Sequence, residues 1–242
     1  MTSRTDSGAA RGSTPPLTTS DLDAIRQFDT CRIANAIEEF DTRLRNEGYA
    51  RPGLLCRFPE LPPMLGYAVT AQIRCSNPPP TYHVYPDRTD WWSLMQSLPG
   101  PRVAVIEDVD PQPGMGAFVG EVHAAILQAL GCAGAVTNGA VRDLPGVRAL
   151  GFPLFSCSVS VSHAYAHIIN FNETLRISGL EIRPGDLLYG DCHGLISIPP
   201  AIAGKLPAVA ARQAAGEREI IALCRSKGFS ISRLRAEVNA IQ

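Results

Sequence analysis

The chain has 242 residues, 45% of them hydrophobic and 19% charged, with a formal net charge of −1. That balance excludes a disordered polymer and supplies enough apolar side chains for one full core. It also removes nucleic acid as a default partner, because no lysine- or arginine-rich block occurs, and it removes the membrane, because no apolar run reaches the ~20 residues a bilayer requires.

Residues 1–19 read as a flexible polar tail with no apolar segment of the secretory type, and residues 20–242 as a single domain. Seven cysteines are scattered singly, with no CxxC and no cysteine–histidine spacing that matches a zinc site. An odd, dispersed set argues for a reducing compartment, so the expected location is cytoplasmic. Cys132 and Cys157 sit inside apolar runs and read as small buried hydrophobes.

Two helices are expected first, one from a Ser20 cap through Phe28 and one from Asp29 or Thr30 to about Phe40. Ile33, Ala36, Ile37 and Phe40 give the second an apolar face. Residues 66–75, GYAVTAQIRC, alternate and read as a strand. The proline-rich segment 77–92 is expected to be irregular, its aromatics (Tyr82, Tyr85, Trp91, Trp92) forming a packed loop at a subunit contact. A strand from Arg102 to Ile106 leads into Glu107, Asp108 and Asp110, read as a solvated strand end in preference to a cation site.

Gly114, Gly116 and Gly120 then make a flexible loop before a helix over 119–130, with Val119, Val122, Ile126 and Leu130 on one face and Gly131 as terminator. Exposed N–H groups at such a helix start seat a carboxylate or phosphate. Glu121 in the first turn either orients water at a metal or simply complements the helix dipole. The apolar run Ala133 to Val136 reads as a buried strand ending in a turn at Asn138 and Gly139. That turn presents Arg142 beside Asp143, before a helix from Pro145 and a strand from Phe152 to Phe155. Alternation of this kind argues for α/β units around a mixed sheet. Residues 182–198 read as two strands around the turn at Asp191 to Gly194, and a helix from about Pro200 to Ser226 closes the chain.

Polar groups at the carboxyl end of a buried strand lie where open α/β sheets place their chemistry. A carboxylate is a hard oxygen ligand for a divalent cation, and a guanidinium grips a carboxylate with two parallel bonds. The competing reading of Arg142 and Asp143 is a local ion pair that closes a helix start. Two lysines stand against twenty arginines, and neither Lys205 nor Lys227 follows an apolar strand, so a lysine imine is a poor route to carbon–carbon cleavage. Asp186 and Asp191 read as turn-formers. His163 and His167 have helical spacing for a shared metal but lack a third ligand, and are assigned packing or loop roles.

The segments Gly120–Glu121, GCAGAVTNGAVRD (131–143), GFPLF (151–155) and RPGDLLYGDCHGLISIP (183–199) resemble the 4-hydroxy-4-methyl-2-oxoglutarate aldolase family, also called the regulators of ribonuclease activity A. The resemblance spans roughly residues 20–225 and is most specific at GAVRD and PGDLLYGDCHG. It implies a layered α/β/β sandwich of the RraA-like, phosphohistidine-domain-like type, flanked by N- and C-terminal helices and assembled as a homotrimer or homohexamer. It also implies Mg²⁺ or Mn²⁺ as cofactor and a small 2-oxo acid as substrate, cleaved to pyruvate through a metal-stabilised enolate, with oxaloacetate decarboxylation through the same enolate. On this sequence Asp143 would hold the metal and Arg142 the substrate carboxylate and developing enolate oxygen. Glu121 would orient metal-bound water, while Gly120 and the N–H groups of Val122 and His123 would seat the pyruvyl carboxylate. His123 departs from the apolar residue many members carry, and either meets a distal substrate group or packs. Two alternatives are a non-catalytic regulator of ribonuclease E type, whose branch lacks the aspartate that stands here as Asp143, and a lyase or decarboxylase acting on another small acid.

Overall fold

A computed structural model describes residues 17–80 and 87–241. Most of the expected 1–19 tail, together with Tyr82 and Tyr85, lies outside them. Seven helices are present among the described residues: α1 (Thr19–Ile25), α2 (Thr30–Glu38), α3 (Arg88–Ser97), α4 (Glu121–Ala129), α5 (Leu144–Ala149), α6 (Leu206–Arg225) and α7 (Ile231–Ile241). The strands are β1 (Leu55–Cys56), β2 (Met64–Arg74), β3 (Arg102–Asp108), β4 (Ala117–Val119), β5 (Cys132–Val141), β6 (Leu154–Val159), β7 (His167–Phe171), β8 (Leu175–Ile177), β9 (Leu180–Ile182), β10 (Leu187–Asp191) and β11 (Gly194–Ile198).

Nine strands form one mixed sheet, ordered β1-β6-β5-β3-β2-β10-β11, with β4 beside β5 and β7 beside β2. The centre, β2-β3-β5-β6, is parallel, and the flanks are antiparallel. Parallel strands are covered on both faces and so read as continuous apolar runs. Alternate residues part the two faces. Val69, Ala71, Ala104, Ile106 and Ala135 pack under α3, α4 and α5 with Trp91, Met95 and Leu127. Met64, Ala68, Val103, Val105 and Val136 pack against the β8–β9 hairpin through Leu175, Ile177, Leu180 and Ile182. Helices, large sheet and small sheet therefore stack in the expected α/β/β order. A further cluster seats α1, α2 and α6 on β10 and β11.

Both opening helices form, and α1 starts two residues early because Thr18, not Ser20, makes a capping box with Asp21. Asp29 caps α2 by accepting the Arg32 N–H at 2.8 Å. Past residue 86 the 77–92 segment is not irregular. Asp87 and Asp90 form a capping box, and α3 buries Trp91 and Met95 completely. Proline disrupts only the positions around it, and the Asp87 cap directly after Pro86 starts a helix. The closing helix begins at Leu206 rather than Pro200, and α7 follows it.

Strand β5 does not stop at Val136 but runs to Val141, with a register shift at Thr137–Ala140. Asn138 is held there by the neighbouring strand: its side chain accepts the Asp108 N–H at 2.7 Å and donates to the Asp108 carbonyl at 2.9 Å. The acidic run is likewise no solvated end, since Asp108 and Asp110 are buried. Asp108 accepts the N–H groups of Asp110 (3.1 Å) and Gly114 (2.8 Å), and Asp110 accepts those of Cys75 and Ser76, each at 2.8 Å. These carboxylates replace missing backbone partners and clamp the glycine loop to the ends of β2 and β3. Burial pushes the Asp108 carboxyl above its usual range, partly offset by those N–H donors.

Candidate active site

The ends of β4 and β5 lie side by side, and each feeds a helix. Gly120 closes β4 and precedes α4; Asp143 closes β5 and precedes α5. No side chain caps either helix start. Asp143 adopts left-handed backbone geometry (φ 53°, ψ 37°), which costs a non-glycine residue about 1–3 kcal/mol unless its surroundings enforce it. That turn aims its carboxylate away from α5 and toward α4, where Oδ2 accepts the Glu121 N–H at 3.3 Å. Arg142 Nε reaches the same oxygen, also at 3.3 Å. The ion pair foreseen as a helix closure thus exists, but it bridges two helix starts. Both side chains are partly exposed, and pairs of this kind contribute about 0–1 kcal/mol of stability.

Gly120 makes this approach possible. A Cβ there would stand 2.4 Å from Asp143 Oδ2 and 3.0 Å from Arg142 Cγ. Gly120→Ala should therefore fold, because both neighbours are partly exposed side chains able to shift. It should lose about 10²-fold in turnover, the scale of a 1 Å misplacement, with an unchanged melting temperature.

Arg142, Asp143, Gly120, Val122 and His123 line one cleft of about 480 Å³. The expected apolar face of α4 is rotated: Val122 is 76% exposed at the cleft, Val119 belongs to β4, and the buried residues are His123, Ala124 and Leu127. The N–H groups of Val122 and His123 fall in the first turn, where no helix carbonyl can reach them. Glu121 does not line the cleft; its carboxylate lies over Gly146 of α5, within 2.3 Å of where a Cβ would stand.

His123 packs. It is 6% exposed, with Nδ1 3.0 Å from the Phe118 carbonyl and Nε2 accepting the Trp92 indole N–H at 3.3 Å. Its ring lies edge-on to Phe118, with centroids 4.8 Å apart. Desolvation, with Arg88 adding to it, depresses its pKa to about 4, so it is neutral at physiological pH. An unfolded histidine titrates near 6.5. The contribution of neutral His123 is therefore complete above that pH and is lost as pH falls toward 4, by about 3 kcal/mol. Urea midpoints measured from pH 7 to 4 should fall for the wild type. His123→Gln, which keeps a donor and an acceptor but cannot protonate, should flatten that decline.

Sequence reasoning missed Arg88 and Tyr165 and gave His163 and His167 packing or loop roles; all four line the cleft. Arg88 lies over the Phe118 ring at 4.8 Å and donates to the Ala166 carbonyl at 3.2 Å. His163 and His167 share no helix face: one sits in a loop and the other in β7. Only the Asp87 cap before Arg88 offered a sequence signal.

The cleft fits a hard cation. Among the described residues Asp143 is its only carboxylate, and Oδ1 of that group receives no hydrogen bond, so one protein oxygen is available. Mg²⁺ accepts few protein ligands and keeps waters or substrate oxygens for the rest. Two three-donor groups occur elsewhere, Cys75–Asp108–Asp110 and Asp191–Cys192–His193, and neither includes Asp143.

The chain matches the RraA-like family (Aldolase/RraA) over residues 30–197. It is 37% identical over 84 residues to a Halalkalibacterium halodurans protein provisionally named 4-hydroxy-4-methyl-2-oxoglutarate aldolase. That stretch covers 34% of this chain and 40% of the relative. Among solved structures it resembles an uncharacterized protein from Pseudomonas syringae, with TM-score 0.72 and 23% identity over 95% of this chain and 99% of that one. It also resembles Streptomyces coelicolor RraAS2, described as an unusual member of the RNase ES inhibitor RraA family, with TM-score 0.64 and 20% identity over 84% and 96% of the two chains. At these identities the structural likenesses speak for the fold. With its family match across most of the domain and its α/β/β layers, the chain belongs to the RraA-like family of aldolases and RraA proteins.

Proposed function

We propose that this protein is a divalent-metal-dependent lyase that cleaves a 4-hydroxy-2-oxo acid to pyruvate. The observation that carries the reading is the convergence of Arg142, the Asp143 carboxylate and the first-turn residues Val122 and His123 of α4 on one cleft. Asp143 would hold Mg²⁺ or Mn²⁺, which supplies Lewis acidity toward the 2-oxo and carboxylate oxygens, worth several kcal/mol. The N–H groups of Val122 and His123 seat the C1 carboxylate, as helix starts do for anions. Gly120 gives the substrate room to lie against that turn.

Cleavage breaks the C3–C4 bond as the C4 hydroxyl gives up its proton and the electron pair moves to the 2-oxo oxygen. Arg142 faces that oxygen as a preorganised cation, so the enolate gains more than the ketone does. A water near Glu121, whose carboxylate lies over Gly146 outside the cleft lining, takes the hydroxyl proton and returns one to C3, giving pyruvate. Oxaloacetate passes through the same enolate on losing CO₂, so decarboxylation belongs to this reading.

An assay of pyruvate release over a panel of 4-hydroxy-2-oxo acids and oxaloacetate, with and without Mg²⁺ or Mn²⁺, tests it. Metal-dependent pyruvate from any member supports the lyase. Silence across the panel favours the protein-binding regulator.

Apolar side chains stand in the open around Arg142 and Asp143: Val161 is 98% exposed, and Val159 and the cleft-lining Tyr165 are more than half exposed. Val159 and Val161 share a second cavity with Arg142 and Asp143. We assign this rim to a homotrimer or homohexamer contact that completes the site. Val161→Asp should release smaller species in sedimentation velocity, whereas an unchanged sedimentation coefficient would remove the rim from the interface.

A further inference from the structure

The tip of the β10–β11 hairpin carries Asp191, Cys192 and His193 in succession, with ligand atoms within 4.8 Å of one another. Asp191 is already engaged. Its oxygens accept the Thr30 N–H (2.8 Å), the Thr30 hydroxyl (2.7 Å), the His193 N–H (2.8 Å) and the His193 ring at Nδ1 (3.1 Å). The ring contact fixes Nδ1 as the protonated nitrogen and leaves Nε2 with its lone pair, the arrangement that metal-binding histidines take from a supporting carboxylate. Cys192 Sγ lies beside the same ring, 3.5 Å from Nδ1 and 4.0 Å from Nε2. Sulfur and nitrogen bound to one tetrahedral zinc, at the usual bond lengths, stand about 3.6 Å apart, so a small rotation of two exposed side chains closes the pair on an ion.

More sulfur is at hand. Thr30 bonds Asp191 through both its N–H and its hydroxyl, so the next residue, Cys31, stands in the first turn of α2 on the hairpin side, its thiol outside the 4.8 Å group of Asp191, Cys192 and His193. Cys31 is exposed, and Cys56 on the edge strand β1 is partly so.

We infer that Cys192 and His193, closed by the Cys31 thiol and braced by Asp191, form a site for a thiophilic divalent cation of the zinc type that ties the start of α2 to the β10–β11 turn. No run of sequence displays this set, because its donors come from helix and hairpin segments about 160 residues apart. The ligand chemistry differs from that of the cleft: thiolate and imidazole select zinc, and a single carboxylate among waters suits Mg²⁺.

The test is zinc titration of the reduced, metal-stripped full chain against a chromophoric chelator, followed by cadmium loading to read thiolate-to-metal absorption. One zinc per chain is expected, with release of protons, a raised melting temperature and no competition from millimolar Mg²⁺. Cys192→Ser and His193→Gln should each weaken zinc at least tenfold, and Cys31→Ser should reduce the cadmium–thiolate band. Cys224→Ser, which removes an exposed thiol on α6, and Asp143→Asn should leave zinc affinity unchanged; the latter keeps this result separate from that of the lyase reading. Equal zinc affinity in the Cys192→Ser/His193→Gln double variant, or no zinc binding tighter than the chelator detects, would overturn the site.

Discussion

Replacing Asp143 by asparagine should reduce Mg²⁺-dependent pyruvate release by about 10³-fold or more, since a Lewis acid worth several kcal/mol is lost at 1.36 kcal/mol per decade. Asparagine is the informative choice. It tolerates the left-handed backbone that Asp143 adopts, so the conformation survives while the charge is removed. The side chain is partly exposed and caps nothing on α5, so the urea midpoint should stay within a few tenths of a molar of the wild type. A Mg²⁺-induced thermal shift present in the wild type should vanish with it. Full activity in this variant would refute the metal assignment whatever the remaining residues do.

Arg142→Met should cost about 10²–10³-fold in kcat, the usual loss when one preorganised donor to a developing oxyanion is removed. Because the same guanidinium holds the substrate, KM for the 2-oxo acid should rise as well. Arg142→Lys should recover only part of the rate: an ammonium supplies the charge but not the planar fork that spans two oxygens. Stability should barely move in either variant, since the Arg142–Asp143 pair is partly exposed. A kcat within threefold of the wild type for Arg142→Met would leave the enolate oxygen to another group, with Arg88 the next cation lining the cleft.

Much of the site was legible because its chemistry is carried by short, contiguous signals. Arg142 and Asp143 are neighbours at a strand end, and the glycine before α4 marks a close approach; folding brings the two together within 3.3 Å. Other parts depend on partners far along the chain. Asp108 and Asp110 read as solvated because charge ordinarily seeks water, yet 30 residues on, Asn138 arrives to pair the Asp108 backbone, and the loop between supplies N–H donors. The face of α4 was misjudged because Val119 belongs to a strand, which shifts the helical phase and buries His123 in place of Val122.

The sequence by itself determined the α/β alternation, the apolar strands of the central sheet, the Asp29 cap of α2 and the Arg–Asp pair. These follow from periodicity, local hydrogen bonding and residue chemistry, which act over a few residues. Only the tertiary structure decided that Asp143 turns toward α4 rather than α5, that His123 is neutral and walled in by Trp92 and Phe118, and that Arg88 and His163 share the cleft. It also decided that a hairpin tip gathers Asp191, Cys192 and His193 and that Asp191 is bonded to Thr30 at the start of α2. Each of these depends on which distant surfaces exclude water from one another, and burial of that kind is a property of packed layers rather than of any single segment.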